Sequence, residues 1–127
     1  MREPLDAERL KRFMKALGEA TRAPVRVYLT GGATAVLLGW RMSTIDVDLK
    51  PVPESDALLR SLPGLKEALH VNVELAAPSD FIPELPGWQE RSAFIGQEGA
   101  LTFFYYDFYG QALSKIERGH AKDVGDV

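Results

Sequence analysis

Residues 28–50 are YLTGGATAVLLGWRMSTIDVDLK, in which two alternating apolar runs flank a glycine pair. The first run carries Val25, Val27 and Leu29 at every second position, and the second run spans residues 45–50. Alternation with a period of two indicates a strand, whereas the short apolar run at residues 33–38 indicates a helix. The segment therefore predicts a strand, a glycine turn, a short helix and a second strand.

The second strand places two carboxylates on one face. Successive side chains of a strand point to opposite faces, so Asp46 and Asp48 lie side by side while Ile45, Val47 and Leu49 face the other way. Two adjacent carboxylates repel each other unless a cation lies between them. Mg²⁺ takes one or two carboxylates and completes its shell with water and substrate phosphate, and Mn²⁺ accepts similar oxygen ligands. We expect Asp46 and Asp48 to hold Mg²⁺ or Mn²⁺.

The glycine pair fits the same site. Residues without a Cβ allow backbone N–H groups to approach a phosphate at the start of a helix, so Gly31 and Gly32 are candidates for nucleotide contact. The alternative is that the Asp-x-Asp pattern is the solvated face of an edge strand and that the glycine pair is only a turn. Both features on consecutive elements favour a triphosphate site.

Gly31-Gly32, a gap of thirteen residues and Asp46-Val47-Asp48 resemble the signature of the DNA polymerase beta superfamily of nucleotidyltransferases. The superfamily often has Gly-Ser where this chain has Gly-Gly. Further residues resemble the bacterial branch that includes the nucleotidyltransferase toxins of abortive-infection and toxin-antitoxin systems: Arg41, Ser43, Thr44, Lys115, Asp123 and Asp126. The resemblance covers the first 75 residues and, more loosely, the segment from Asp107 onward.

The resemblance implies an α/β (α+β) nucleotidyltransferase fold, a small mixed sheet flanked by helices with an added β-hairpin. It implies transfer of a nucleoside monophosphate from a nucleoside triphosphate to a hydroxyl of tRNA or protein, with an antitoxin protein as partner. Ser43, Thr44 and Arg41 would then contact the nucleotide. The alternative is a non-catalytic module of the same fold that senses nucleotide or binds a protein.

Residues 70–75 alternate and predict a third strand, whose apolar residues would face the core: Val71, Val73 and Leu75. Glu74 would lie on the opposite face, within reach of Asp46 and Asp48 if this strand pairs with the second. The superfamily commonly places a third carboxylate there as general base, which makes Glu74 a catalytic candidate. A solvated strand residue is the alternative.

The last helix is predicted from Asp107 to Arg118, ended by Gly119, with a buried apolar stripe: Phe108, Tyr109, Ala112, Leu113 and Ile116. Lys115 lies beside Phe108 at the edge of this stripe. A lysine stem can lie on apolar surface while its ammonium reaches a neighbouring cleft. The resemblance assigns Lys115 to a triphosphate contact, and an ordinary solvated lysine is the alternative.

Two further helices are predicted: one at residues 6–17, capped by Asp6 and ended by Gly18, and one that begins after Ser55 and breaks at Pro63. The second strand is expected to end at Pro51 and Pro53. A loop at 76–88 is predicted to form a flap over the sheet, and strands 91–95 and 100–106 are predicted to form a hairpin. The aromatic run at 103–106 suits a buried strand better than a base-stacking platform.

The composition bounds the class of protein. A chain of 127 residues with 46% hydrophobic and 26% charged residues predicts one globular domain, residues 1–127. Residues 122–127 predict the first turn of another helix, so a C-terminal helical extension is expected to be missing.

The chain has no cysteine, which excludes disulfides and thiolate metal sites. Neither a membrane-length apolar run nor a signal peptide is evident, so a cytoplasmic protein is expected. With a net charge of −3, any RNA partner would need a local basic patch.

Overall fold

The computed structural model describes residues 4–125, and side chains as far as residue 118. The helices are α1 (Ala7–Ala20), α2 (Gly32–Leu37), α3 (Asp56–Leu69), α4 (Trp88–Arg91) and α5 (Phe108–Gly125), with a 3₁₀ turn at Pro78–Asp80. The strands are β1 (Val25–Thr30), β2 (Asp46–Val52), β3 (Asn72–Leu75), β4 (Ala93–Glu98) and β5 (Leu101–Tyr105).

The five strands form one mixed sheet in the order β3-β2-β1-β5-β4. β1 pairs antiparallel with β2 and parallel with β5, β3 pairs parallel with β2, and β4 pairs antiparallel with β5. The α+β class, the mixed sheet and the added hairpin predicted from the sequence are confirmed.

The main core lies between one face of this sheet and helices α1 and α3. The amphipathic period of α1 buries its predicted apolar stripe: Leu10, Phe13, Met14 and Leu17. These side chains meet the inward residues of the central strands and of α3: Val27, Leu29, Val47, Leu49, Leu58, Leu62 and Phe103. The caps of both helices are as predicted, because Asp6 and Ser55 accept backbone N–H bonds from Arg9 and Leu58.

The opposite face of the sheet carries an aromatic cluster beside the acidic residues. Trp88 stacks on Tyr106 at a centroid distance of 4.5 Å and meets Tyr28 edge-on at 4.7 Å. Phe104 stacks on Tyr28. The predicted flap over the sheet is thus confirmed at Trp88, which is buried, whereas Phe81 in the same segment stays 45% exposed. The aromatic run belongs to a buried strand, as predicted.

The predicted ends of α1 and α3 are wrong. Gly18 does not end α1, which continues to Ala20. Its missing side chain serves close packing instead, since an added Cβ would lie 2.5 Å from the carbonyl oxygen of Glu98. Pro63 does not break α3. The proline removes one helical N–H, but Leu58 and Leu62 before it are buried, and Leu65 and Leu69 after it pack on the same core, so both halves stay helical.

The ends of β2 and β3 also differ from the prediction. β2 runs through Pro51 to Val52, because β3 pairs only as far as Leu49 and the missing N–H at Pro51 breaks no ladder bond there. β3 begins at Asn72, since His70 caps α3 with a positive φ of 55°. Leu75 was predicted to face the core but is 53% exposed, because the chain leaves the sheet directly after it.

The last helix departs most from its prediction. α5 passes Gly119 and continues to Gly125, so residues 122–125 extend α5 and do not begin another helix. Its small residues Gly110 and Ser114 are buried, whereas most of the predicted buried stripe is exposed, with Tyr109 at 62% and Ile116 at 67%. Periodicity identified the helix but not which face the sheet covers.

Candidate functional site

The glycine turn and the acidic strand meet where β1 ends. Thr30 pairs with Asp48 across the antiparallel ladder, and Gly31 follows as the N-cap of α2. Gly31 has φ 64° and ψ −135°, a conformation that side chains other than glycine rarely adopt. An added Cβ would lie 3.0 Å from Oδ2 of Asp48. The absence of a side chain at Gly31 therefore gives the Asp48 carboxylate its place.

Three carboxylates lie on adjacent strands. The parallel register of β2 and β3 sets Asp48 opposite Glu74 and Asp46 opposite Asn72. The expected proximity of Glu74 to the acidic pair is therefore confirmed. Asn72, which sequence reasoning passed over, donates from Nδ2 to Oδ1 of Asp46 at 2.5 Å and to Oε1 of Glu74 at 3.4 Å. The amide of Asn72 therefore links the carboxylates of Asp46 and Glu74.

The carboxylates of Asp46, Asp48 and Glu74 form an acidic patch, in which the ionised form of Asp48 is disfavoured by its surroundings. Burial, together with the neighbouring charges of Glu74 and Asp46, raises its pKa from 3.8 to about 6, while Arg118 acts in the opposite direction. Its Oδ1 is buried and has no hydrogen-bond partner among the described residues. A buried, unpaired carboxylate oxygen near two other carboxylates is a position that a cation would stabilise.

The residues present fit a magnesium ion held jointly with a substrate. The donors are hard carboxylate oxygens, one of them unpaired, beside a glycine that leaves space. Among the described side chains, no group of three or more acidic, histidine or cysteine residues is close enough to hold a metal ion alone. Asp46 and Asp48 would therefore need phosphate or water to complete the coordination shell.

The loop before β2 supports the glycine turn. Thr44 is buried, its Oγ1 donates to the carbonyl of Asp46 at 3.1 Å, and it packs where a side chain at Gly32 would otherwise lie. Arg41 is exposed, and its Nη1 lies 3.3 Å from the position of a Cβ on Gly32. Ser43 lies between them, partly buried. Arg41 thus brings a positive charge to the glycine turn, and the Thr44 hydroxyl is used in a hydrogen bond within the fold.

Helix α5 contacts the site through a residue that the sequence did not single out. Gln111 accepts from the backbone N–H of Gly31 at 3.1 Å and donates to the carbonyl of Tyr106 at 2.6 Å. The Gly31 N–H that the sequence assigned to phosphate is therefore engaged by Gln111 in this structure.

Two cations follow Gln111 on the same face of α5. Lys115 is one turn further along and exposed, and no described side chain forms a salt bridge with it. Arg118 lies with its guanidinium 4.7 Å from the Phe81 ring centroid, near enough to Asp48 to lower its pKa. The spacing 111, 115, 118 is the i, i+4, i+7 pattern of one helix face, which could have indicated Arg118 from the sequence. The side chain of Asp123 and all of Asp126 lie outside the described part of the chain.

A groove of about 360 Å³ adjoins the carboxylates. It begins at Lys50, two residues after Asp48 on the same face of β2, and at Leu75, directly after Glu74. Its other lining residues include Val52, Ala77, Asp80 and Trp88. None of the three carboxylates lines the groove itself, which meets them only through residues next to them in the sequence.

Comparison with known proteins gave one match. Residues 8–127 match the model of a family described as "Nucleotidyltransferase of unknown function (DUF6036)". No curated protein and no solved structure matched the chain. In the described range, no helix is long and apolar enough to cross a membrane.

Proposed function

Because the chain belongs to this family of nucleotidyltransferases of unknown function, we propose that it transfers a nucleoside monophosphate from a nucleoside triphosphate to a hydroxyl acceptor, with Mg²⁺ or Mn²⁺. The observation that carries the proposal is Asp48, whose buried Oδ1 has no partner in the part of the chain that the structure describes and whose pKa is raised to about 6. Such an arrangement is costly for a fold unless function uses it.

The step is an in-line displacement at the α-phosphorus. The acceptor oxygen forms a bond to that phosphorus, the bond to the oxygen that bridges to the β-phosphate breaks, and pyrophosphate leaves. Glu74 takes the proton of the acceptor hydroxyl as general base, since it is solvent-exposed and pairs with Asp48 across the β2–β3 ladder. Asp46 and Asp48 would hold the metal, which when bound would neutralise charge on the triphosphate.

The remaining residues orient the nucleotide. Gly31 and Gly32 allow Asp48 and Thr44 to pack at the start of α2, and Arg41 lies against Gly32 as counter-charge. Ser43 belongs to the same loop, and a phosphate contact is proposed for it. Thr44 supports the loop instead, because it is buried and its hydroxyl donates to the carbonyl of Asp46. Lys115 on α5 would add charge at the far end of the triphosphate. Catalysis would then consist mainly of positioning and electrostatic stabilisation.

The acceptor and the biological role are proposed from the sequence resemblance: tRNA or protein as acceptor, and a toxin paired with an antitoxin protein. The exposed stripe of α5, with Tyr109 and Ile116, supports a protein partner, because large apolar side chains at helical spacing usually pack against something.

A second candidate function is a non-catalytic nucleotide-binding module. It is favoured by one observation, the Gln111 side chain that occupies the Gly31 N–H. A module of this kind would bind nucleotide and metal without releasing pyrophosphate.

Release of pyrophosphate and transfer of ³²P from α-labelled nucleoside triphosphates to tRNA or protein separate the two functions. We expect metal-dependent transfer by the parent and none by Asp48→Asn. Glu67→Gln, which removes an exposed carboxylate on α3, is the matched control and should retain activity. Metal-dependent binding without transfer to any acceptor would establish the module instead.

A further inference from the structure

We infer that Arg118 binds the distal phosphates of the triphosphate, and that Gln111 is a positioning residue that holds α5 over the carboxylates. This inference rests on the proposed function and assigns a specificity role to a helix face defined by Gln111, Lys115 and Arg118.

The first anchor of this face is at the glycine turn. Gln111 uses both ends of its amide, accepting from Gly31 N–H and donating to Tyr106 carbonyl. Gly31 in turn leaves the space that Oδ2 of Asp48 occupies. α5 is therefore linked to the acidic pair through one intervening residue.

The second anchor lies two turns further along, about 10 Å at the rise of an α-helix. There the guanidinium of Arg118 lies over Phe81, in the segment that follows β3 and therefore follows Glu74. The two anchors set α5 across the patch from the glycine turn on one side to the chain after Glu74 on the other.

Arg118 is close to the patch but not paired within it. Its guanidinium lies 4.7 Å from the Phe81 ring centroid, and it forms no salt bridge with any carboxylate whose side chain the structure describes. Stacking on a ring leaves the N–H groups at the edge of the guanidinium free to donate. The arginine is held in place by an aromatic ring while its donors stay available.

Charge favours phosphate as the group that these donors meet. A metal triphosphate brought to Asp46, Asp48 and Glu74 remains strongly anionic, so cations must approach from outside the acidic patch. An arginine donates two parallel bonds to phosphate oxygens, which gives a geometry that a lysine cannot reproduce. Arg118 is thus suited to distinguish a triphosphate from a monophosphate.

The test is a calorimetric titration in the presence of Mg²⁺. The ligands are the α,β-methylene analogues of ATP, GTP, CTP and UTP, followed by the nucleoside monophosphate whose base matches the analogue that binds most tightly. We expect Arg118→Met to weaken triphosphate binding roughly tenfold to hundredfold, as for a lost bond to a charged group, and monophosphate binding far less. Arg118→Lys should recover part of the loss. Glu117→Met, which removes the neighbouring exposed charge on another face of α5, is the control and should not weaken binding.

The role of Gln111 is tested by the same ratio. Gln111→Leu should weaken triphosphate binding more than monophosphate binding. When combined with Arg118→Met it should add little, because both changes remove the same contact between Arg118 and the distal phosphates. Equal losses for both nucleotides, or full additivity, would reduce Gln111 to a structural residue.

The outcomes separate this inference from the proposed function. If the parent binds the triphosphate, Asp48→Asn does not, and Arg118→Met binds like the parent, the inference is wrong and the function stands. If the parent binds no triphosphate with metal, both are wrong. Circular dichroism of each variant establishes that it is folded before it is titrated.

Discussion

Removing the charge of Asp48 should stabilise the protein at neutral and alkaline pH. The carboxyl is partly buried beside Glu74 and Asp46, and no described group forms a hydrogen bond with its Oδ1. Asparagine keeps the size of the side chain and removes the repulsion. An acidic residue that the fold tolerates at such a cost is expected where function requires it.

The magnitude follows from the pKa. A rise from 3.8 to about 6 corresponds at full weight to about 3 kcal/mol of lost stability above pH 6. Because solvent reaches part of the carboxyl, we expect roughly half of this, about 1–2 kcal/mol. The sign is fixed by the direction of the shift: the folded state binds this proton more tightly, so the cost is absent below pH 3.8 and complete above about pH 6.

Urea denaturation of parent and Asp48→Asn at pH 8 and pH 4 measures the effect. The variant should have the higher free energy of unfolding at pH 8, and most of that advantage should be lost at pH 4. Asp46→Asn should give no comparable gain, since Asp46 accepts a hydrogen bond from Asn72. An Asp48→Asn variant less stable than the parent at pH 8, or equally advantaged at both pH values, would refute the electrostatic reasoning.

Three further predictions concern the neighbouring residues. Glu74→Gln should leave nucleotide affinity almost unchanged and lower turnover by about 10²–10⁴-fold in the label-transfer assay, and unaltered turnover would return Glu74 to the solvated-strand interpretation. Lys115→Met should weaken triphosphate binding more than monophosphate binding by calorimetry, with Lys115→Arg intermediate; equal losses or none would indicate a solvated lysine. Gly31→Ala should destabilise the protein by about 1–3 kcal/mol in urea denaturation, because its backbone conformation strains other residues and the new Cβ would press on Asp48. A neutral Gly31→Ala would show that the turn relaxes freely.

Local patterns predicted the part of the site that lies on strands. A period of two places Asp46 and Asp48 on one face, and the pairing of β3 with β2 then brings Glu74 beside them. These inferences need only the alternation of side chains along a strand and the assumption that β3 pairs with β2. The glycine turn was likewise predictable, since few other residues accept its φ and close contacts.

Contacts made by long-range packing were not predictable in the same way. Gln111 and Arg118 reach the site because α5 lies across it on small residues, Gly110 and Ser114, whereas its apolar stripe led to the opposite expectation. Helical periodicity identifies an apolar face but not what covers it. Pro63 shows the same limit, since tertiary packing on both sides outweighed the local breaking signal.

The most direct test of the central claim is calorimetric titration of the parent, Asp46→Asn and Asp48→Asn with an α,β-methylene nucleoside triphosphate, in the presence and absence of Mg²⁺. The account predicts saturable binding by the parent only with Mg²⁺, and loss of that binding in both folded variants. Binding of the magnesium nucleotide by either variant as tightly as by the parent would contradict the assignment of Asp46 and Asp48 to the metal triphosphate site.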